Sequence, residues 1–354
     1  MENPDPMILK IHSARPEKAA VARAVQALRE GKLVVIPTET VYGVAASPGV
    51  SGALDRIYAA KERDRGKPIP WLAASLEAVE QAGAMLPPWA RRLARRYWPG
   101  PLTLVAPCRG SREGFRVPDH PVALAVLNQA GGLLRVTSAN LSGEQATLTA
   151  AAAAAALGRH VALVLDAGPS PLGVESTVVD ASGETPVILR QGALSREAVM
   201  SRPRVLFVCT GNTCRSPMAE HLFRKWAGSR TKWESASAGV AAMDGQPASD
   251  GAIRAMAERE LDLSPHRSRG LTGALIDEAD LVVVMTQSHK QVVLQRFPRA
   301  ANRVVLLNEF NPRHRGEDVP DPFGMKAEVY RAIRDEIEAA MPDLVLHGHG
   351  YFEK

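Results

Sequence analysis

Unbroken apolar runs of four or five residues recur along the chain at 33–36, 161–165, 205–208, 281–285 and 304–307. Runs of that length, bounded by polar residues, are the pattern of strands buried on both faces of a sheet. Between them the apolar spacing lengthens to three or four. Val21, Val25 and Leu28 share one face of a helix expected over 20–28, which Gly31 closes. Met218, Leu222 and Trp226 recur every fourth residue after the third run, and Ser216 with Pro217 offers an N-cap oxygen and a first-turn proline. Further helices are expected over 248–258 and over 326–341, where Val329, Ile333, Ile337 and Met341 form a stripe. Seven alanines at 150–156 favour helix on propensity alone. Strand-like segments at 176–180 and 186–192 follow the run at 161–165. Strands alternating with helices predict an α/β protein.

The 354 residues are too many for one ordinary core, so two domains are expected, over 13–198 and 203–346. The join at 195–204 is too short to be a long flexible tether. Three cysteines form no even disulfide framework and point to a reducing cytosol. The first residues lack the basic and apolar regions of a signal peptide, and no apolar run nears the ~20 residues that span a bilayer. A soluble cytoplasmic protein with no membrane partner is the expectation. The net charge of +5 lies mostly within the first 200 residues, which suits a polyphosphate or RNA nearby. Arg91, Arg92, Arg95 and Arg96 read as a solvated helix face. His347 and His349 fall in a polar tail with no third ligand beside them, and no metal held by protein side chains is expected.

The strongest chemical signal is Cys209-Thr-Gly-Asn-Thr-Cys-Arg215, set between the run at 205–208 and the helix after it. Backbone N–H groups of a tight loop that closes onto a helix N-terminus form a nest for a tetrahedral dianion. Arg215 can hold two oxygens of that anion in a bidentate fork. A cysteine at the centre of this field should have a thiol pKa lowered from ~8.5, and its thiolate would face a bound phosphoryl group as a nucleophile. Zinc ligation by Cys209 and Cys214 is the weaker reading, since Cys108 is the one remaining cysteine and no His pair follows at ligand spacing.

Residues ~203–345 resemble the low-molecular-weight protein phosphatases, and within them the protein arginine phosphatases. The match extends to Ser237-Ala-Gly239, Asp280-Leu-Val-Val-Val-Met-Thr286, His289-Lys290 and Asp318-Val-Pro-Asp-Pro-Phe-Gly324. The resemblance implies a doubly wound parallel-sheet domain in which Cys209 attacks, Arg215 binds phosphate and Asp321 is the general acid. It also implies that Asn212 and Ser216 shape the loop and that the substrate is a phosphorylated protein. Thr213 and the Asp-Pro-Phe-Gly segment lean toward phosphoarginine, with phosphotyrosine as the alternative.

Pro37-Thr-Glu-Thr-Val-Tyr-Gly43, taken alone, reads as a turn, and Lys61-Glu-Arg63 as a solvated helix end. Together with Ser138-Ala-Asn140 and Ser176-Thr-Val-Val-Asp180 they are specific. Residues ~13–195 resemble the short form of the threonylcarbamoyl-AMP synthase family. That resemblance implies a twisted open α/β sheet around a basic cavity, and condensation of L-threonine, bicarbonate and ATP, with Mg2+ accompanying the nucleotide. It further implies a partner, the tRNA-modifying transfer complex that uses the product. Candidate ATP residues are Lys61, Arg63, Lys67, Thr103, Ser138, Asn140 and Arg190; Thr38, Arg116 and Ser176 are candidates for threonine. A catalytically silent RNA-binding module is the rival reading of this half. Longer relatives carry a His soon after the Lys-x-Arg motif, where this chain reads Pro68-Ile-Pro-Trp-Leu72.

Overall fold

In the computed structural model, which describes residues 6–228 and 233–352, the strands and helices sort into two units, Met1–Met200 and Ser201–Lys354. The strands of the first unit are β1 (Met7–Lys10), β2 (Val34–Ile36), β3 (Gly43–Ala46), β4 (Trp71–Ala73), β5 (Leu102–Cys108), β6 (Ser111–Arg116), β7 (Leu133–Ser138), β8 (Leu163–Asp166), β9 (Thr177–Asp180) and β10 (Val187–Arg190). They form one mixed sheet in the order β1-β8-β2-β3-β7-β4-β6-β5-β9-β10. Alternation along β2 divides its side chains between two cores. Val34 and Ile36 pack with Val21, Val25 and Leu28 of the helix Lys18–Arg29, whereas Val35 packs with Ile57 and Leu157 on the other face. The run 37–43, which alone resembles a turn, leads directly into β3, and Gly43 pairs with Ser138 of β7. A Cβ on Gly43 would come within 2.7 Å of Val136, so this crossing needs a glycine.

The second unit contains β11 (Arg204–Cys209), β12 (Glu234–Gly239), β13 (Leu281–Val284) and β14 (Val304–Leu306). All pairs are parallel, in the order β12-β11-β13-β14. Helices cover both faces. Val205 and Phe207 join Met218, Met256 and Ile337 in one core, and Leu206 and Val208 join Ile276 and Val293 in the other. This is the doubly wound layout expected from the apolar runs, with β11 at the point where the strand order reverses. Among the described residues, no helix is long and apolar enough to cross a membrane.

Several local expectations need correcting. The helix after β11 is Arg215–Ala227 with Cys214 at its N-cap, so Ser216 lies inside the first turn and caps nothing. Trp226 is 46% exposed, and Phe223 and Ala227 are buried in its place. A strict spacing of four drifts about 40° per step around a helix, and in this one the buried face follows the drift to Phe223 and Ala227. The last helix runs over Ala327–Phe352, past Pro342. His347 therefore sits on a helix, its ring 5.0 Å from that of Phe310, while the His349 side chain lies outside the described residues. Of the four arginines read as solvated, Arg92 is 5% exposed, Arg91 bonds Glu80 and Arg96 lies over the Tyr97 ring.

Lys61 departs most from its expected setting. It is 1% exposed, and its ammonium donates to the carbonyls of Ser138 and Asn140. Its own carbonyl accepts from the Ser142 N–H at 2.9 Å. Burial, with Arg63 as a lesser cause, brings its pKa down to about 8. The side chain is thus a clamp across residues 138–142 rather than a solvated end. Lys61→Met keeps the length and removes the donors, leaving two carbonyls unsatisfied at a cost of ~1–3 kcal/mol. Faster hydrogen exchange at the Ala139 and Ser142 amides is expected, and unchanged exchange would contradict the clamp.

Candidate functional sites

The sheet of the first unit holds a cavity of about 430 Å³. Its position follows from the strand pairings. The β3–β7 pairing sets the Thr38–Tyr42 segment beside Ser138, and the parallel β5–β9 pairing sets Thr103 beside Ser176. Thr38, Arg116, Ser138 and Ser176 line the cavity, as do Arg63, Thr103 and Arg190. Lys61, Lys67 and Asn140 do not line it: Lys61 is the buried clamp and Lys67 is exposed. Asn140 donates to the Leu141 and Glu144 carbonyls, and its buried Oδ1 has no hydrogen-bond partner.

Each guanidinium at the cavity is held by oxygen acceptors. Arg116 donates to Gly100 O and to Thr40 Oγ1, and pairs with buried Glu39 at 2.6 Å. Arg190 pairs with Glu175 at 2.9 Å and donates to Ser176 O, while the Ser176 hydroxyl meets that of Thr103 at 2.8 Å. Arg63 instead donates to the carbonyls of Lys67 and Pro68. Of these three, it is the one whose hydrogen bonds go to neutral groups, so its charge stays available to an anion. Sequence reasoning missed Thr40, Glu39 and Arg112. The first two lie within the quoted threonine-rich run, but Arg112, paired with Asp180, had no signal at all.

A divalent cation would find no cage here. Glu39 and Glu175 are already paired with arginines, and among the described residues no group of three His, Cys, Asp or Glu side chains is arranged to hold a metal.

In the second unit, β11 ends at Cys209 and the following loop closes onto the helix Arg215–Ala227. Cys214 at the N-cap makes no side-chain capping bond, and the Ser216 N–H turns instead to the Cys209 sulfur, at a helix end whose dipole favours an anion. Asn212 fixes the loop. Its φ of 55° turns the chain left-handed, its Nδ2 donates to Ser216 Oγ at 2.9 Å, and its Oδ1 accepts from the Arg269 N–H. His266 Nε2 bonds its carbonyl at 2.7 Å. Ser216 Oγ, which accepts from Asn212, lies 3.0 Å from Cys209 Sγ and can also donate to the Ala238 carbonyl at 3.5 Å. Gly239 lies against this turn, and a Cβ there would come within 2.4 Å of Thr210 O.

Arg215 is 4% exposed; it donates to Val319 O at 3.0 Å and pairs with Asp321 at 2.5 Å. The structure thus brings Cys209, Asn212, Ser216, Arg215 and Asp321 together. Thr213 belongs to the same loop, its carbonyl accepting from the Ser249 N–H. Cys214 Sγ turns to the hydroxyls of Ser249 and Tyr330. His266 and Arg269 escaped sequence reasoning because they lie more than fifty residues from Asn212. His289 bonds the Thr210 hydroxyl, and burial together with Arg215 lowers its pKa to about 4, so it is neutral near pH 7.

The thiol does not follow the sequence expectation. Burial pushes the Cys209 pKa up, against Ser216, Arg215 and the Asn212 N–H, which all favour the thiolate. The positive field is present, but Cys209 is 2% exposed and desolvation of a thiolate outweighs it.

Comparison with known proteins bears on both halves. Residues 26–192 match the family model described as "Telomere recombination", and residues 204–348 match that of the low molecular weight phosphotyrosine protein phosphatases. Over 190 residues the chain is 36% identical to the threonylcarbamoyl-AMP synthase of Bacillus subtilis, covering 51% of this chain and 55% of that protein. A putative threonylcarbamoyl-AMP synthase of Mycobacterium tuberculosis is 41% identical over 198 residues, which are 52% of this chain and 91% of the relative. The protein-arginine-phosphatase of Bacillus subtilis is 42% identical over 141 residues, 40% of this chain and 93% of the relative. The first half of the chain belongs to the threonylcarbamoyl-AMP synthase family and the second half to the low-molecular-weight protein phosphatase family, so this is a two-enzyme fusion.

Proposed function

We propose that residues 1–200 condense L-threonine, bicarbonate and Mg–ATP into L-threonylcarbamoyl-AMP and pyrophosphate. The observation that carries this reading is the cavity lined by Arg63, Arg190 and the hydroxyls of Thr38, Thr103, Ser138 and Ser176. Bicarbonate joins the threonine amine with loss of water, the new carboxylate attacks the α-phosphorus, and pyrophosphate leaves. No protein nucleophile is required, so catalysis rests on positioning and on neutralising phosphate charge. Arg63 and Arg190 would meet the triphosphate, and Thr38 with the Thr40–Arg116–Glu39 cluster would border the amino acid. The product would then pass to a tRNA-modifying transfer complex.

Residues 201–354 would remove phosphoryl groups from proteins, with arginine as the preferred carrier. The Cys209–Ser216–Asn212 arrangement beside Arg215 supports this reading. The sulfur attacks phosphorus, the bond from phosphorus to the guanidine nitrogen breaks, and Asp321 supplies the proton that the nitrogen takes. Water then hydrolyses the cysteinyl phosphate. An arriving phosphoryl group takes over Arg215 as its partner, which releases Asp321 to act as acid. The likeness to a protein-arginine-phosphatase and the residues Thr213 and Phe323 favour arginine over tyrosine.

Pyrophosphate release by the full chain should require threonine and bicarbonate together. Arg190→Ala should lower kcat/KM by roughly ten- to a hundred-fold, the scale of a charge-assisted hydrogen bond. Undiminished release in that variant would take Arg190 out of the site, and tight RNA binding without threonine-dependent release would favour the silent module.

Asp321→Asn should slow dephosphorylation of a phosphoarginine protein by ~10²–10⁴-fold. An aryl phosphate with a very acidic phenol needs little protonation and should lose far less. Equal losses on the two substrates would show that Asp321 is not the acid.

A further inference from the structure

The segment bearing Asp321 is fastened at its start. The Asp318 carboxylate accepts from the Gln287 N–H at 2.7 Å, in the first turn of the helix Gln287–Arg296. Thr286, the N-cap of that helix, already serves the His289 N–H at 3.2 Å, so the cap and Asp318 divide the first-turn donors between them. A carboxylate at that end of a helix is also favoured by the axial dipole. The next residue continues the attachment. The Val319 N–H donates to Met285 O at 2.9 Å, and Val319 O accepts from Arg215 at 3.0 Å. Val319 is fully buried, whereas Asp318 is exposed and fills no core space.

Between this anchor and the acid stands Pro320, and Pro322 follows the acid. Pro320 fixes its own φ, and each proline restricts the residue before it, Val319 and Asp321, so little rotational freedom separates Asp318 from Asp321. The far side is tied as well, by the Phe323 N–H on Asp321 Oδ1 at 3.2 Å. A change of direction at residue 318 is therefore passed on to the carboxyl group at 321.

We propose that Asp318 is the positioning residue of the acid segment: by holding the Gln287 N–H it sets the direction in which Asp321 presents its proton to the leaving nitrogen. The proposal rests on Asp321 being the general acid. The Asp318 carboxylate bonds the Gln287 N–H rather than a group of the Cys209 loop, and in this proposal its effect on the reaction runs through Asp321. Loss of the anchor should thus appear only where the acid matters. The Cys209 loop, which is held by Asn212, His266 and Arg269, should be unaffected.

The test uses the full chain with two substrates, a phosphoarginine protein and an aryl phosphate whose phenol is very acidic. Asp318→Ala should lower kcat on the phosphoarginine protein by roughly ten-fold, the scale of one hydrogen bond to a charged group. KM and the aryl phosphate rate should hardly move. Asp318→Asn retains an acceptor and should restore most of the loss. In an Asp321→Asn background, Asp318→Ala should add nothing further. Equal losses on both substrates, or a full additional loss on top of Asp321→Asn, would overturn the proposal and leave Asp318 as an ordinary helix cap. If Asp321→Asn itself shows no preference between the substrates, the general-acid reading fails and the positioning role falls with it. A selective Asp321→Asn beside an unselective Asp318→Ala sinks the positioning role alone.

Discussion

A cation taken out of water must be given oxygen acceptors, and much of the architecture around both sites follows from that requirement. Lys61 finds the carbonyls of Ser138 and Asn140, Arg63 those of Lys67 and Pro68, and Arg215 that of Val319. Arg215, with Asp321, and buried Arg116, with Glu39, add a carboxylate to the carbonyl, as does Arg190, which stays exposed. In every case the carbonyl lies in a loop or at a strand end beside a site, where the backbone has acceptors not used by the sheet. The cations thereby fix the shape of the loops, and the loops fix which cations keep their charge for a substrate. Arg63, bonded to neutral carbonyls, and Arg190, paired with a carboxylate, differ in that respect although both are arginines at the same cavity.

The two units put this constraint to different chemical use. The cavity in the mixed sheet offers charge and hydroxyls from several strands, as would suit the proposed condensation, in which the substrate itself is the nucleophile. The loop after β11 gathers everything around one sulfur. There the Asn212 turn holds the Ser216 hydroxyl beside Cys209, and Gly239 permits the approach of Thr210. Burial raises the thiol while the surrounding donors oppose it, so the phosphatase reactivity is a balance of desolvation against directed hydrogen bonds.

Much of the fold was legible because apolar runs and helical stripes report burial directly. The runs at 205–208, 281–285 and 304–307 are strands of the parallel sheet, and Ile333, Ile337 and Met341 are buried as their spacing implied. The phosphatase loop was legible because its residues are contiguous. What sequence reasoning lost were pairings between distant segments. Lys61 looked solvated because nothing local shows the Ser138 and Asn140 carbonyls seventy or more residues away. Arg92 and Trp226 exchanged their expected settings because composition and a spacing of four do not fix the phase of a helix against its neighbours. Glu39 and Thr40 stood in view within the threonine-rich run, but their role in holding Arg116 exists only once β3 and β6 are in place.

The central claim is that one chain carries two separate chemistries, each confined to its own unit. It is tested most directly by assaying both reactions on the same preparations of wild type, Cys209→Ser and Arg63→Ala. Cys209→Ser should abolish release of phosphate from a phosphoarginine protein and leave threonine-dependent pyrophosphate release intact, and Arg63→Ala should give the reverse pattern. Loss of both activities through either substitution, or survival of phosphatase activity without the Cys209 thiol, would contradict the account.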